Sequence, residues 1–97
     1  MEDRYIQMAR IFKALSNPKR VKIFDLLTEG EMCACVLLEH FHISQPTLSH
    51  DMKVLMDVDI VKSRREGQRI LYSLNMDKLR LMEFTIEKMM KENHGHS

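Results

Sequence analysis

Apolar residues recur at helical spacing through most of the chain, change to strand-like alternation near residue 60, and return to helical spacing before the end. Residues 4 to 15 place Tyr5, Met8, Ala9, Phe12 and Leu15 at steps of three and four, which predicts one stripe of an amphipathic helix. Asn17 and Pro18 then supply an N-cap and a first-turn proline for a second helix of about twelve residues. Its Val21, Ile23, Phe24, Leu26 and Leu27 are apolar on nearly all sides, so it reads as central, with Glu29-Gly30 as a left-handed end. Lys19, Arg20 and Lys22 at its start read as a solvated or phosphate-facing edge.

The stretch from Met32 to Leu55 reads as two short helices broken at Phe41-His42-Ile43-Ser44. The first is apolar along Val36, Leu37, Leu38 and Phe41; the second opens with Ser44 as N-cap and holds Gln45 and Pro46 in its first turn. Leu48, Met52 and Leu55 then form a core-facing stripe, while Thr47, His50 and Lys53 occupy the opposite face with Gln45 and Ser49 on its flank. An aliphatic inner face with a small, polar, weakly basic outer face fits a DNA major groove, which makes residues 33 to 57 a helix-turn-helix. A pair of merely solvated helices is the competing reading. The next fifteen residues decide between them: two β-prone runs, Ile60 to Arg65 and Arg69 to Leu74, meet at Glu66-Gly67-Gln68 and predict a hairpin over residues 60 to 74. Lys62, Arg64, Arg65 and Arg69 stand there against Glu66 alone, so the hairpin is a basic wing able to reach phosphates.

The last predicted helix, residues 77 to 92 after an Asn75-Met76-Asp77 cap, carries Leu79, Met82, Ile86, Met89 and Met90 in a stripe of nearly heptad spacing, with Phe84 off it and Glu83 beside it. So much apolar surface on a terminal helix predicts pairing with a second copy, residues 1 to 15 and 77 to 92 forming the interface. A homodimer would set two reading helices against half-sites about 34–36 Å apart. The fold expected is therefore mainly α with a small β-hairpin: a single winged helix-turn-helix domain over residues 1 to 97, with a polar, mobile tail from 93 to 97.

Composition narrows the function. With a net charge of +1, nucleic-acid binding has to come from local patches rather than a global field. No apolar run reaches membrane-span length and no signal peptide opens the chain, so a cytoplasmic protein without a membrane partner is expected. The nine methionines fall at core-like helical positions and read as flexible packing. No catalytic constellation is visible, and a C-x-C thiol oxidoreductase is disfavoured by the lack of a βαβ pattern, so no enzyme is expected.

Cys33 and Cys35 carry the chemistry. Thiolates suit As(III), Sb(III), Cd(II), Hg(II), Cu(I) and Zn(II), although zinc needs further ligands that the sequence positions of His40, His42, His50, His94 and His96 do not supply. On a regular helix, side chains two residues apart diverge by about 200°, so joint chelation demands an extended or unwound helix start and pulls on the backbone before the reading unit. A bridge between the two sulfurs closes a small ring and is not the favoured state. Two small residues at a helix start, one of them packed in the core, are the plain alternative.

The chain resembles the ArsR/SmtB family of metal-sensing winged-helix repressors through ALSNPKRVKIFDLL, EMCACVLLEHF, SQPTLSHDMKVL and IVKSRREGQRILYSL, from about Phe12 to Leu74. Its C-x-C resembles that of the arsenic-responsive branch. The resemblance implies an operator-bound homodimer released by As(III) or Sb(III), with no metal required for folding. Cys33 and Cys35 would hold the inducer, Gln45, Thr47, Ser49 and His50 would contact DNA, and Arg64, Arg65 and Arg69 would contact it from the wing. Cd(II), Hg(II) or thiol oxidation sensed through the same cysteines is the alternative. Three departures stand out: Leu38 replaces a third cysteine, Val36 an acidic residue, and Asp51 a second histidine, which would put a negative charge near DNA. Asp77 has no histidine after it before His94, which argues against a Zn/Co-type site on the last helix, and no cysteine precedes the first helix as in the cadmium and lead branch.

Overall fold

The computed structural model describes residues 2–94, without the side chains of Asn93 and His94. The order is α1 (Asp3–Ala14), α2 (Pro18–Leu27), β1 (Met32–Cys33), α3 (Ala34–Glu39), α4 (Gln45–Asp57), β2 (Val61–Glu66), β3 (Arg69–Leu74) and α5 (Met76–His94). The backbone of residues 93 and 94, expected to belong to a mobile tail, continues α5; the rest of the tail and any metal binding by His94 and His96 lie outside the described residues.

Local chemistry sets most boundaries. Asn17 Oδ1 accepts from Lys19 N at 2.8 Å and Ser44 Oγ accepts from Thr47 N at 3.3 Å, so both capped starts form where the sequence places them. Asn75 Oδ1 does the same for α5 through Lys78 N at 3.3 Å. α2 stops at Leu27, two residues before the expected end, and Gly30 comes after it with φ +129°, outside the left-handed helical well. α4 ends in a 6→1 and 5→2 hydrogen-bond pair, Ile60 N to Leu55 O at 3.3 Å and Asp59 N to Met56 O at 2.9 Å, with Asp59 left-handed at φ 63°. This Schellman turn seats Ile60 in the core and launches the wing directly from α4.

The core joins Met8, Ile11 and Ala14 of α1, Ile23 and Leu27 of α2, Leu37 of α3, and Leu48, Met52 and Leu55 of α4 to Ile60, Val61, Tyr72 and Leu74. Each fully buried aliphatic side chain is worth roughly 1.5–3 kcal/mol. Two expectations need correction. The α1 stripe is rotated: Met8, Ile11 and Ala14 point inward, whereas Tyr5, Ala9 and Phe12 face outward, because α1 is apolar on two adjacent faces and only one meets the core. The wing is also more than a hairpin. Met32 and Cys33 pair antiparallel with Tyr72 and Leu71, giving a three-stranded sheet of order β1-β3-β2. A lone hairpin is marginal in water, and this added strand anchors the wing to the segment that carries the thiols.

The β2–β3 turn holds two residues between Glu66 and Arg69, which face each other across the ladder. Gly67 at φ 62° takes its first central position, as a type II′ hairpin requires.

Candidate nucleic-acid interface and thiol site

α4 lies over the core on Leu48, Met52 and Leu55, which leaves Gln45, Ser49, His50 and Lys53 exposed on its outer side. Thr47 is half-buried, and its hydroxyl stands 3.0 Å from Ser44 Oγ, inside the cap that starts the helix. Lys53 Nζ lies 3.9 Å from Asp57 Oδ2, an exposed i,i+4 pair of little energetic weight.

Asp51 does not face outward. It is 2 % exposed and is held by two cations from the start of α2, Lys19 Nζ at 2.8 Å and Arg20 Nη1 at 3.1 Å. Its position between Leu48, Met52 and Leu55 turns it to the inner side, so its charge is neutralised under the helix instead of repelling DNA. Lys19 and Arg20 are accordingly braces between α2 and α4, not a free phosphate-facing edge. Arg20 Nε also donates to Ala14 O at 2.6 Å. Lys22 closes the third link, donating to His40 O at 3.1 Å with its ammonium 5.0 Å from the Phe41 ring.

On the wing, Lys62, Arg65 and Arg69 are exposed and make no ion pair among the described residues. Arg64 differs. Its Nε and Nη2 donate to Glu31 at 2.8 and 2.7 Å, and its Nη1 donates to Glu66 at 3.0 Å. The hydrogen bonds from Arg64 hold the Glu31 carboxyl below the usual glutamate range, and the same bonds push the guanidinium further up.

The thiol pair sits where strand turns into helix. Cys33 is buried, extended at φ −64° and ψ 144°, and serves as N-cap of α3, its sulfur accepting from Cys35 N at 3.2 Å. Cys35 is exposed in the first turn. Because Cys33 lies outside the helix, the two side chains turn the same way; the sulfurs are joined as a disulfide, with the Cα atoms 5.2 Å apart. The extended helix start that joint chelation demands is thus present, held by pairing of Cys33 with Leu71, and what needs correcting is only that an ion would have to create it. The sequence favours free, unbridged thiols, and here the bridge is formed instead. Among the described residues no group of three His, Cys, Asp or Glu side chains gathers to hold a metal.

Sequence reasoning missed Arg10 and Lys13 of α1, which share an open cleft with Arg20, His50 and Asp57 at the edge of the reading helix. It also missed Glu31. Both omissions concern residues that meet their partners only across the fold, where periodicity carries no signal.

A helix with an exposed polar face, braced on a helical core and joined at once to a basic three-stranded wing, defines a winged helix-turn-helix DNA-binding protein. Residues 17–63 match the model of the bacterial regulatory protein, arsR family. The chain is 44% identical over 91 residues to an arsenical resistance operon repressor of Staphylococcus xylosus, covering 94% of this chain and 88% of that protein. A Staphylococcus aureus protein of the same description is 52% identical over 71 residues, 73% of this chain and 68% of that one. Among solved structures, the homodimeric winged helix-turn-helix DNA-binding domain of a Mycobacterium bovis protein superposes with a TM-score of 0.72 at 28% identity, over 100% of this chain and 94% of that. The chain belongs to the ArsR family of transcriptional repressors; it is a DNA-binding regulator and not an enzyme. No helix among the described residues is long and apolar enough to cross a membrane.

Proposed function

We propose that the chain represses transcription as a homodimer on operator DNA and leaves it when As(III) or Sb(III) binds Cys33 and Cys35. The observation that carries the reading is the convergence of the two sulfurs at the junction between the wing sheet and the helix-turn-helix. Side chains directed so that the sulfurs can bond can, once reduced, share one soft ion. Arsenous acid would exchange two of its hydroxyls for the sulfurs of the two thiols, whose protons leave with those hydroxyls as two waters, with the third position left to hydroxide or a small thiol. The arsenical resistance repressors among its relatives support the choice of ion. Strain at this junction has a short route to DNA, since β1 is hydrogen-bonded into the wing sheet and α3 is the first helix of the reading unit.

In this reading Gln45, Thr47, Ser49, His50 and Lys53 approach the major groove while Arg64, Arg65 and Arg69 approach the backbone from the wing. The exposed Tyr5, Ile6 and Phe12 of α1 and Leu81, Phe84 and Met90 of α5 support dimerisation through the terminal helices. The protein would act in the cytoplasm, where thiols stay reduced.

A second reading is favoured by the disulfide itself: an oxidant removing two electrons and two protons from the dithiol would produce the bridged form, making Cys33 and Cys35 a redox switch. Gel shifts with reduced protein on its own upstream DNA, titrated with As(III), Cd(II), Hg(II) and a disulfide-forming oxidant, separate the two. Wild type should release with arsenite, while Cys33→Ser and Cys35→Ser should bind DNA normally and stay bound. If the double variant still dissociates at the wild-type arsenite concentration, the inducer assignment is wrong.

A further inference from the structure

Glu31 stands immediately before β1 and reaches across the sheet to the wing. Its two carboxylate oxygens take the Nε and Nη2 of Arg64 at 2.8 and 2.7 Å, the parallel two-bond geometry that makes arginine–carboxylate pairs stronger than other surface pairs. Glu66 Oε2 takes Nη1 at 3.0 Å. Each of the three guanidinium nitrogens therefore already donates to a carboxylate. The cluster of one cation and two anions has a formal charge of −1, so Arg64 presents DNA with no net attraction while it is held this way. Leu71 links the two neighbourhoods, pairing with Cys33 on one side and Arg64 on the other.

We propose that Glu31 is a positioning residue for DNA binding, its carboxylate competing with a backbone phosphate for the same edge of Arg64. The Nε–Nη2 edge accommodates one oxyanion at a time, so Arg64 joins the DNA interface only when Glu31 lets go. Operator affinity is thereby held below what the wing's sequence would allow. The inference rests on the reading that the wing meets DNA, and it adds a residue that neither the reading helix nor the wing itself contains.

The test is equilibrium binding of reduced, metalloid-free protein to a duplex from its own upstream region, over a range of salt concentrations. Glu31→Gln should raise affinity roughly three- to tenfold near physiological salt and steepen the slope of log K against log salt by about one, the signature of one added phosphate contact. In an Arg64→Ala background the same substitution should change neither quantity. Arg65→Ala serves as the independent check on the wing and should weaken binding and flatten the slope. If Glu31→Gln is silent while Arg65→Ala weakens binding, the wing reading stands and this proposal fails. Silence in both removes the wing from the interface and overturns both. A gain from Glu31→Gln that persists without Arg64 overturns it as well, because the effect would then be general charge and not competition.

Discussion

α4 and α5 carry apolar stripes of the same period, yet the structure treats them differently. On α4, Leu48, Met52 and Leu55 are sealed beneath the helix by α1, α2 and the wing. On α5, Leu79 and Met82 of the stripe touch the core, but Ile86 and Met90 farther along it are 38% and 67% exposed, and Leu81 and Phe84 beside it are 55% and 63% exposed. α1 shares this division, burying Met8 and Ile11 while Tyr5, Ile6 and Phe12 face outward. Periodicity states that a face wants cover and is silent about what covers it. One stripe is satisfied within the chain; the other is satisfied, in the homodimer we propose, by a second copy.

The largest expected effect breaks that asymmetry from the open side. Leu81→Asp with Phe84→Asp places two charges on surface that the proposed dimer buries, and should yield a folded monomer by sedimentation and circular dichroism. Operator affinity should fall by about 10²–10⁴, since the second half-site contact is no longer intramolecular. A variant that stays dimeric and binds as wild type would remove this face of α5 from the interface. One that unfolds would show that α5 is needed by the monomer core, and the contrast with α4 would vanish.

Sequence reading succeeded where the determinant was local. The caps at Asn17 and Ser44, the prolines behind them, the break at Phe41 to Ser44 and the glycine turn at Gly67 are short-range chemistry, and each lies where the pattern puts it. It failed where a residue's role is set by a partner distant along the chain. Nothing near Asp51 announces that Lys19 and Arg20, 32 and 31 residues away, neutralise it. Nothing near Met32 announces that it is a strand, because two residues are too few to alternate. The C-x-C was legible as chemistry, but its geometry depends on Leu71 of the wing. Asp51→Ala tests the sealed side at intermediate magnitude. A carboxylate facing DNA would raise operator affinity on removal and leave stability unchanged. As a brace whose cations keep some solvent and other partners, its loss should instead lower stability by about 1–3 kcal/mol, roughly 5–15 °C in Tm at fixed protein concentration. Tighter DNA binding at unchanged Tm would reverse this assignment.

The smallest effect probes the same sealed interior through its proton chemistry. Tyr72 lies in β3 between Met32 of β1 and Ser63 of β2, and burial raises its phenol above the ordinary value. Burial disfavours the phenolate, so the folded state keeps a proton that the unfolded chain gives up near pH 10. The stabilisation linked to Tyr72 is therefore complete below the ordinary phenol pKa and is lost as pH rises through it toward the raised folded value. Lysines titrate in the same range, so the informative quantity is the difference between wild type and Tyr72→Phe. That difference should be flat at neutral pH and should shift in favour of the phenylalanine variant as denaturant midpoints are taken into the alkaline range. Parallel curves for the two proteins up to about pH 11, beyond the ordinary phenol value, would mean that the phenolate is solvated as it stands. The wing sheet would then be open at the rung it shares with β1, and the sealed half of the molecule would be smaller than its buried side chains imply.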